Sequence, residues 1–154
     1  MMLSWLFSDP LAVGGEAPEF SVADDSGRTV TLSALRGRYV VLVFYPGDDT
    51  PGCTKQLCQF RDDWSQATKR GVEVFGVNPQ NARQHSNFRK KFQFPFPLLV
   101  DERQKVAEAY HANGLIVKRS VYLIGRDGKI LGSIAESVGR IGDLRGNSRV
   151  NRWE

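Results

Sequence analysis

The chain has 154 residues, of which 41% are hydrophobic and 25% are charged, and its formal net charge is +4. These values are ordinary for a single soluble globular domain. The basic residues are scattered, with short clusters only at Arg89-Lys90-Lys91 and Lys118-Arg119. Because a nucleic-acid interface requires a concentrated basic surface, we expect no nucleic-acid partner.

The chain contains two cysteines, Cys53 and Cys58, which are too few for a disulfide scaffold. The two histidines, His85 and His111, are remote in sequence from the cysteines and from each other. No zinc-ligand spacing is present. We therefore expect neither a metal nor a cofactor.

The first residues include a short apolar patch, Trp5-Leu6-Phe7, with no basic region before it. A signal peptide needs about 7–15 apolar residues behind positive charge, and a membrane-spanning helix needs about 20. We therefore expect residues 1–13 to form an N-terminal tail, with no membrane span and a cytoplasmic location. An alternative role for the patch is contact with a membrane surface or a partner.

The first half of the domain is predicted to be mainly strands. Two short strand-like segments, 19–22 and 29–32, flank a turn and indicate a β-hairpin. Residues 33–37 are typical of one helical turn that glycine ends. Residues 39–45 are the strongest strand signal, and because they are apolar on both faces they predict a central, covered strand.

The remaining elements alternate between helices and strands. We predict helices at 50–70, 81–92 and 102–111, the last capped by Asp101, strands at 72–77 and 98–100, and a closing hairpin of 120–124 and 129–134. The helix at 81–92 is predicted to be exposed and basic. Four phenylalanines, Phe88, Phe92, Phe94 and Phe96, suit either the core or an apolar rim around a substrate. The alternation predicts an α/β sandwich in which helices flank a mixed sheet.

The stretch from Tyr45 to Cys58 joins the central strand to the next helix and holds both cysteines. Thr50 is a good N-cap, and Pro51 suits the first helical position. Cys53 then lies in the first turn, where backbone N–H groups are unpaired and the helix dipole is positive. Such a position favours a thiolate. Asp48 and Asp49, just before the helix, are expected to be exposed loop carboxylates.

This stretch resembles the active-site signature of the peroxiredoxins. Pro46-x-x-x-Thr50-x-x-Cys53 matches the family motif, and the longer string with Cys58 five positions on is similar to the peroxiredoxin Q (bacterioferritin comigratory protein) subgroup. The resemblance implies a thioredoxin-like fold, which we assign to residues 14–135. Relatives usually finish with a further helix, whereas residues 136–154 form an atypical, glycine- and arginine-rich tail.

The resemblance also implies the chemistry of the site. Cys53 would attack hydrogen peroxide or an organic hydroperoxide and become a sulfenic acid. Thr50 would accept a backbone N–H and donate to the thiolate or peroxide, while Pro46 would shield the sulfur from water. Arg119 would stabilise the thiolate and polarise the peroxide. Gln56 stands where many relatives carry glutamate, and its carbonyl is still able to orient Arg119.

Cys58 raises a geometric question. Five residues of ideal helix separate two Cα atoms by about 8–9 Å, whereas a disulfide needs less than about 7 Å. If Cys58 resolves the sulfenic acid, the first turns of the helix must therefore unwind. The resulting disulfide would be reduced by thioredoxin or a glutaredoxin-like protein, with the protein as a monomer. The alternative is that Cys58 is a packed core residue and an external thiol resolves Cys53.

Two other functions use the same residues. A non-enzymatic redox sensor would share the reactive cysteine but would lack rapid turnover. A dithiol-disulfide oxidoreductase is the second alternative, although that class typically has a Cys-x-x-Cys spacing.

Overall fold

The computed structural model describes residues 10–135 and contains seven strands in that range. They are β1 Ser21–Ala23, β2 Thr29–Thr31, β3 Tyr39–Phe44, β4 Val72–Asn78, β5 Leu98–Val100, β6 Ser120–Ile124 and β7 Ile130–Ala135. Strands β1 and β2 form the expected antiparallel hairpin, and the others form one sheet in the order β5-β4-β3-β6-β7. Strand β3 is parallel to β4 and antiparallel to β6, so the prediction of a mixed sheet is confirmed.

Four α-helices flank this sheet in the described range: α1 Pro51–Asp62, α2 Trp64–Lys69, α3 Ala82–Phe92 and α4 Lys105–Ala109. Short 3-10 turns occupy Leu32–Leu35 and Glu102–Gln104. The single helix predicted at 50–70 is wrong, because Asp63 separates α1 from α2. Asp63 has φ −89° and ψ −1°, which lies at the edge of helical geometry and ends the first helix there.

The helix predicted at 102–111 is also shorter than expected. Arg103 and Gln104 adopt positive φ angles of 57° and 58°, which interrupt the helical path. Asp101 still acts as a cap, but for α4. Its two carboxylate oxygens accept the backbone N–H groups of Val106 and Ala107 at 2.7 and 2.9 Å.

The two faces of β3 divide the core into two clusters. Val41 and Val43 pack on the face that is covered by α1 and α3, together with Phe60 and Phe88. Val40, Leu42 and Phe44 pack on the opposite face, together with Tyr110, Ala112 and the hairpin. Because successive strand side chains point to opposite faces, one six-residue strand anchors both layers.

The four phenylalanines near α3 belong to the core. Phe88, Phe94 and Phe96 are buried, and Phe92 packs against them with its ring 5.5 Å from that of Phe88. Full burial of one such ring contributes about 1.5–3 kcal/mol to the free energy of unfolding. The cluster therefore holds α3 and β5 against the sheet, and the structure does not support the alternative of a substrate rim.

Some expectations concern residues outside the described range. The N-terminal patch Trp5-Leu6-Phe7 and the tail at 136–154 are among them. In the described part of the chain, no helix combines the length and the apolar character that crossing a membrane requires.

Candidate active site

The elements that carry the predicted site residues meet at one end of the sheet. Phe44, the last residue of β3, pairs with Val77 near the end of β4 and with Ser120 at the start of β6. The loop after β3, the segment after β4 and the residue before β6 must therefore lie together. This register brings Arg119 next to the loop of Pro46 and Thr50, although they are far apart in sequence.

Helix α1 begins as the sequence predicts. Thr50 occupies the N-cap with extended backbone, Pro51 follows as the first helical residue, and the Thr54 N–H donates to the Thr50 carbonyl at 2.8 Å. The expected side-chain cap is wrong, because the Thr50 hydroxyl makes no such bond and instead donates to the Gly47 carbonyl at 3.1 Å. The first turn, which contains Cys53, also includes no acidic residue that would oppose a thiolate.

Arg119 lies against this first turn. Its Nη1 donates to the Gln56 Oε1 at 2.7 Å and to the Gly52 carbonyl at 3.4 Å. Gln56 is only 4% exposed, so its side chain is a fixed support for the guanidinium. The positive charge is thus held against the turn that bears Cys53, and the glutamine carbonyl orients it as the sequence predicts.

Gly52 makes this approach possible. A Cβ atom at this position would lie 3.2 Å from Nη2 of Arg119, which is tighter than an ordinary van der Waals contact. Any larger residue therefore requires the guanidinium to shift. The glycine of the Thr-Pro-Gly-Cys string is explained by a contact with a residue far along the chain.

Cys58 lies later in α1 as a free thiol. Its side chain is partly buried against the cluster that includes Leu57 and Phe60. Burial raises the pKa of the Cys58 thiol, although the charge of Arg61 opposes the change. Both cysteines belong to the same continuous helix, so the closed form keeps their backbones apart.

A second set of residues under the loop was not found from the sequence. Asp48, predicted to be an exposed carboxylate, has a side chain that is only 5% exposed. Its Oδ1 accepts the Tyr45 hydroxyl at 2.6 Å, and its Oδ2 lies 2.6 Å from Nδ1 of His85. The expectation is wrong because the loop folds back over α3. The available signal was the spacing of His85, Phe88 and Phe92, which places the histidine on the buried stripe of a helix that was predicted to be exposed.

The backbone of the same loop is tied to the end of β4. The Asn78 Nδ2 donates to the Tyr45 carbonyl at 3.3 Å, and the Asp48 N–H donates to the Gln80 side-chain oxygen. Asn78 Oδ1 in turn accepts the Gln80 N–H at 2.7 Å. The loop that carries Pro46 is therefore fixed by side chains from outside it.

Among the side chains that the structure describes, no group of three or more from His, Cys, Asp and Glu is placed to hold a metal ion.

Fold and site together define a thiol-active protein of thioredoxin-like fold, and comparison with known proteins gives the family. The AhpC/TSA family pattern matches residues 13–132, and the chain belongs to that family. It is 39% identical over 152 residues to a protein of Coxiella burnetii named putative peroxiredoxin bcp, and the match covers 85% of this chain and 99% of that one.

Two further relatives define the subgroup. The chloroplastic peroxiredoxin Q of Oryza sativa is 42% identical over 121 residues, which cover 76% of this chain and 56% of that protein, so the chain spans about half of its length. The crystal structure of peroxidoxin BcpB from Mycobacterium tuberculosis superposes with a TM-score of 0.81 at 29% identity, covering 93% of this chain and 96% of that one. The resemblance to peroxiredoxins that the motif predicted is confirmed.

Proposed function

We propose that this protein is a thiol-dependent peroxidase that reduces hydrogen peroxide and organic hydroperoxides with Cys53 as its nucleophile. The observation that carries the proposal is the position of Arg119. Its guanidinium contacts the carbonyl of Gly52 and the side chain of Gln56, the residues that precede and follow Cys53 in the first part of α1. A fixed cation at a helix N-terminus favours a thiolate and the negative charge that develops on a peroxide.

The chemical step follows from this arrangement. The Cys53 thiolate attacks the terminal peroxide oxygen, a sulfur–oxygen bond forms, and the oxygen–oxygen bond breaks. The leaving oxygen takes a proton and departs as water or an alcohol, and Cys53 becomes a sulfenic acid. Pro46 would limit access of water to the sulfur. Thr50 would donate to the peroxide after its hydroxyl turns away from the Gly47 carbonyl, which it contacts in the resting form.

Cys58 is proposed to resolve the sulfenic acid. Its thiolate attacks the sulfur of Cys53, a disulfide forms, and the hydroxyl leaves as water. Because both residues lie within α1, the first turns of the helix must open before the sulfurs meet. Opening would also release the Cys58 thiol from the packing that raises its pKa, so the attacking thiolate would form more readily.

The reductant of this disulfide is proposed to be thioredoxin or a glutaredoxin-like dithiol protein. Such reductants act in the reducing cytoplasm, which is where we place the protein. A Cys53–Cys58 disulfide is intrachain, so the cycle needs one copy only, and we propose a monomer. The domain that carries the cycle is proposed to span residues 14–135.

The test is peroxide consumption with thioredoxin and thioredoxin reductase, using wild type, Cys53→Ser and Cys58→Ser. We expect Cys53→Ser to abolish consumption, because no nucleophile remains. We expect Cys58→Ser to react once with peroxide and then to stop turning over with thioredoxin. Equal rates for wild type and Cys53→Ser would end the enzyme hypothesis.

Mass spectrometry of the peroxide-treated protein separates the alternatives. An intrachain disulfide that thioredoxin reduces supports the proposed cycle, whereas a free Cys58 thiol throughout turnover contradicts it. A protein that oxidises once but is not turned over by any dithiol reductant would be a redox sensor. Reduction of insulin disulfides without peroxide would identify a dithiol-disulfide oxidoreductase.

A further inference from the structure

We infer that Asp48 and His85 form a buried positioning pair, which holds the loop of Pro46 and Thr50 in place for peroxide attack and stays closed when α1 opens. This inference rests on the proposed peroxidase function. It concerns residues that act through the loop to which Asp48 belongs.

His85 is fully buried, and each of its ring nitrogens has a hydrogen-bond partner. The side chain is 0% exposed, its Nε2 lies 2.9 Å from the Leu99 carbonyl and 3.2 Å from the Asn78 carbonyl, and its Nδ1 lies 2.6 Å from Asp48. One imidazole thus joins the end of β4 and the middle of β5 to the loop after β3. Helix α3, which carries it, is held separately by the capping box of Asn81 and Gln84.

The partners of the ring indicate that the pair is charged. Carbonyl oxygens only accept hydrogen bonds, so Nε2 must carry a proton. Asp48 already accepts the Tyr45 hydroxyl, as an ionised carboxylate does, and Nδ1 then donates to its other oxygen. Burial alone would lower the pKa of His85, but the hydrogen bond and charge of Asp48 outweigh it and leave the pKa raised. The hydrogen-bond partners and the raised pKa both favour an imidazolium.

Other charged groups near the pair are engaged elsewhere. Asp49 and Lys91 line a cleft of about 260 Å³ beside Asp48 and form an ion pair with each other at 2.9 Å. Arg89, one helical turn beyond His85 on α3, pairs with Asp25 at 3.1 Å. Among the described residues, Asp48 is the charged group that bonds the ring.

The location of the pair explains what it would do. Asp48 lies two residues after Pro46 and two before Thr50, and both its carboxylate and its N–H are bound by residues outside the loop. Asp49, by contrast, is exposed and has a positive φ of 57°. The bonds that tie the loop to His85 and Gln80 thus end at Asp48, and Asp49 separates them from the start of α1.

The test separates the two half-reactions of the reduced full-length protein after rapid mixing with hydrogen peroxide. His85→Gln retains a donor for the backbone carbonyls and loses the bond to Asp48, while Asp48→Asn keeps the size of the side chain and removes its charge. We expect both variants to lower the second-order rate of Cys53 oxidation about ten- to a hundredfold, because small displacements of positioning groups have effects of this size. The later, first-order formation of the disulfide should change less than about threefold.

Asp49→Asn is the matched control, because it makes the same substitution one residue along the loop and in an exposed pair. It should oxidise at the wild-type rate. Wild-type oxidation rates in folded Asp48→Asn and His85→Gln would overturn the positioning role. Equal slowing of oxidation and disulfide formation would also overturn it, because that result indicates general loosening of the site.

A measurement on the wild type keeps the inference testable if a variant does not fold. The chain has only two histidines, and exposed His111 is an internal reference for ¹⁵N NMR of the imidazole rings. We expect both nitrogens of His85 to be protonated above about pH 6.5, the ordinary pKa of histidine, in the reduced and in the disulfide form. A neutral His85 ring in either form overturns the inference. If the wild-type protein does not react with peroxide, both the proposed function and the positioning role are wrong. A doubly protonated His85 ring would still establish the ion pair in that case.

Discussion

The stability of α1 should set the rate at which the disulfide forms. Lys55 lies in this helix between the two cysteines, and its side chain is exposed. Glycine at an interior helical position is about 0.8–1.0 kcal/mol less favourable than alanine, and lysine is close to alanine. Lys55→Gly should therefore favour the open helix, while Lys55→Ala removes the same charge and leaves the helix nearly as stable.

The expected magnitude follows directly. A difference of about 0.9 kcal/mol corresponds to a factor of about five in an equilibrium constant at 25 °C. If opening is rapid, rare and required, Lys55→Gly should form the disulfide about fivefold faster than Lys55→Ala. Oxidation of Cys53 takes place in the closed form, which remains the major population, so its rate should stay nearly the same in the two variants.

The assay is a single turnover followed by tryptophan fluorescence, with quenched samples analysed by mass spectrometry to assign the phases. The oxidation phase depends on peroxide concentration, and the disulfide phase does not. Identical disulfide rates in Lys55→Gly and Lys55→Ala would refute the reasoning that α1 opens before the sulfurs meet. Wild type should behave like Lys55→Ala.

Two further predictions concern the groups around the site. Gly52→Ala should slow Cys53 oxidation by about tenfold, because the new Cβ displaces the Arg119 guanidinium. The higher helix propensity of alanine should at the same time stabilise the protein. Unchanged peroxide kinetics would contradict this explanation. The second prediction concerns pH, because the pKa of His85 is raised in the folded state. The protonated ring therefore contributes its full stabilisation below the ordinary pKa of about 6.5. This stabilisation is lost as the pH rises through the folded-state pKa. Urea unfolding of wild type and His85→Gln from acidic to alkaline pH should therefore show a difference in unfolding free energy that shrinks as pH rises, and a constant difference would count against the buried charge.

Much of the fold was predictable because its signals are local. The apolar run at 39–45 predicted a central strand, and β3 at Tyr39–Phe44 is buried along its whole length. Thr50 and Pro51 predicted the start of α1, since capping preferences act within a few residues. The boundaries that failed, at Asp63 and Arg103, depend on single backbone angles that composition does not specify.

In the site, too, the local features were predictable and the contacts between distant residues were not. The motif around Cys53 predicted that it lies in the first turn of a helix, and the resemblance placed Arg119 beside this turn, where the guanidinium contacts Gln56. Asp48 was misassigned because its partner His85 lies 37 residues away on a helix that looked exposed. The Thr50 hydroxyl also donates to the Gly47 carbonyl, whereas its cap position suggested that it would accept a backbone N–H.

By itself the sequence determined the strand–loop–helix that places Cys53 at a helix N-terminus, together with a spacing to Cys58 that is too long for a disulfide within an intact helix. Only the tertiary structure decided which groups surround that stretch. Strand register at Phe44 brings Arg119 to one side of α1, and burial of His85 pairs it with Asp48 on the other side of the loop. The physical reason is that capping and helix geometry act over a few residues, whereas burial and the pairing of charges depend on distant segments that meet only in the folded chain.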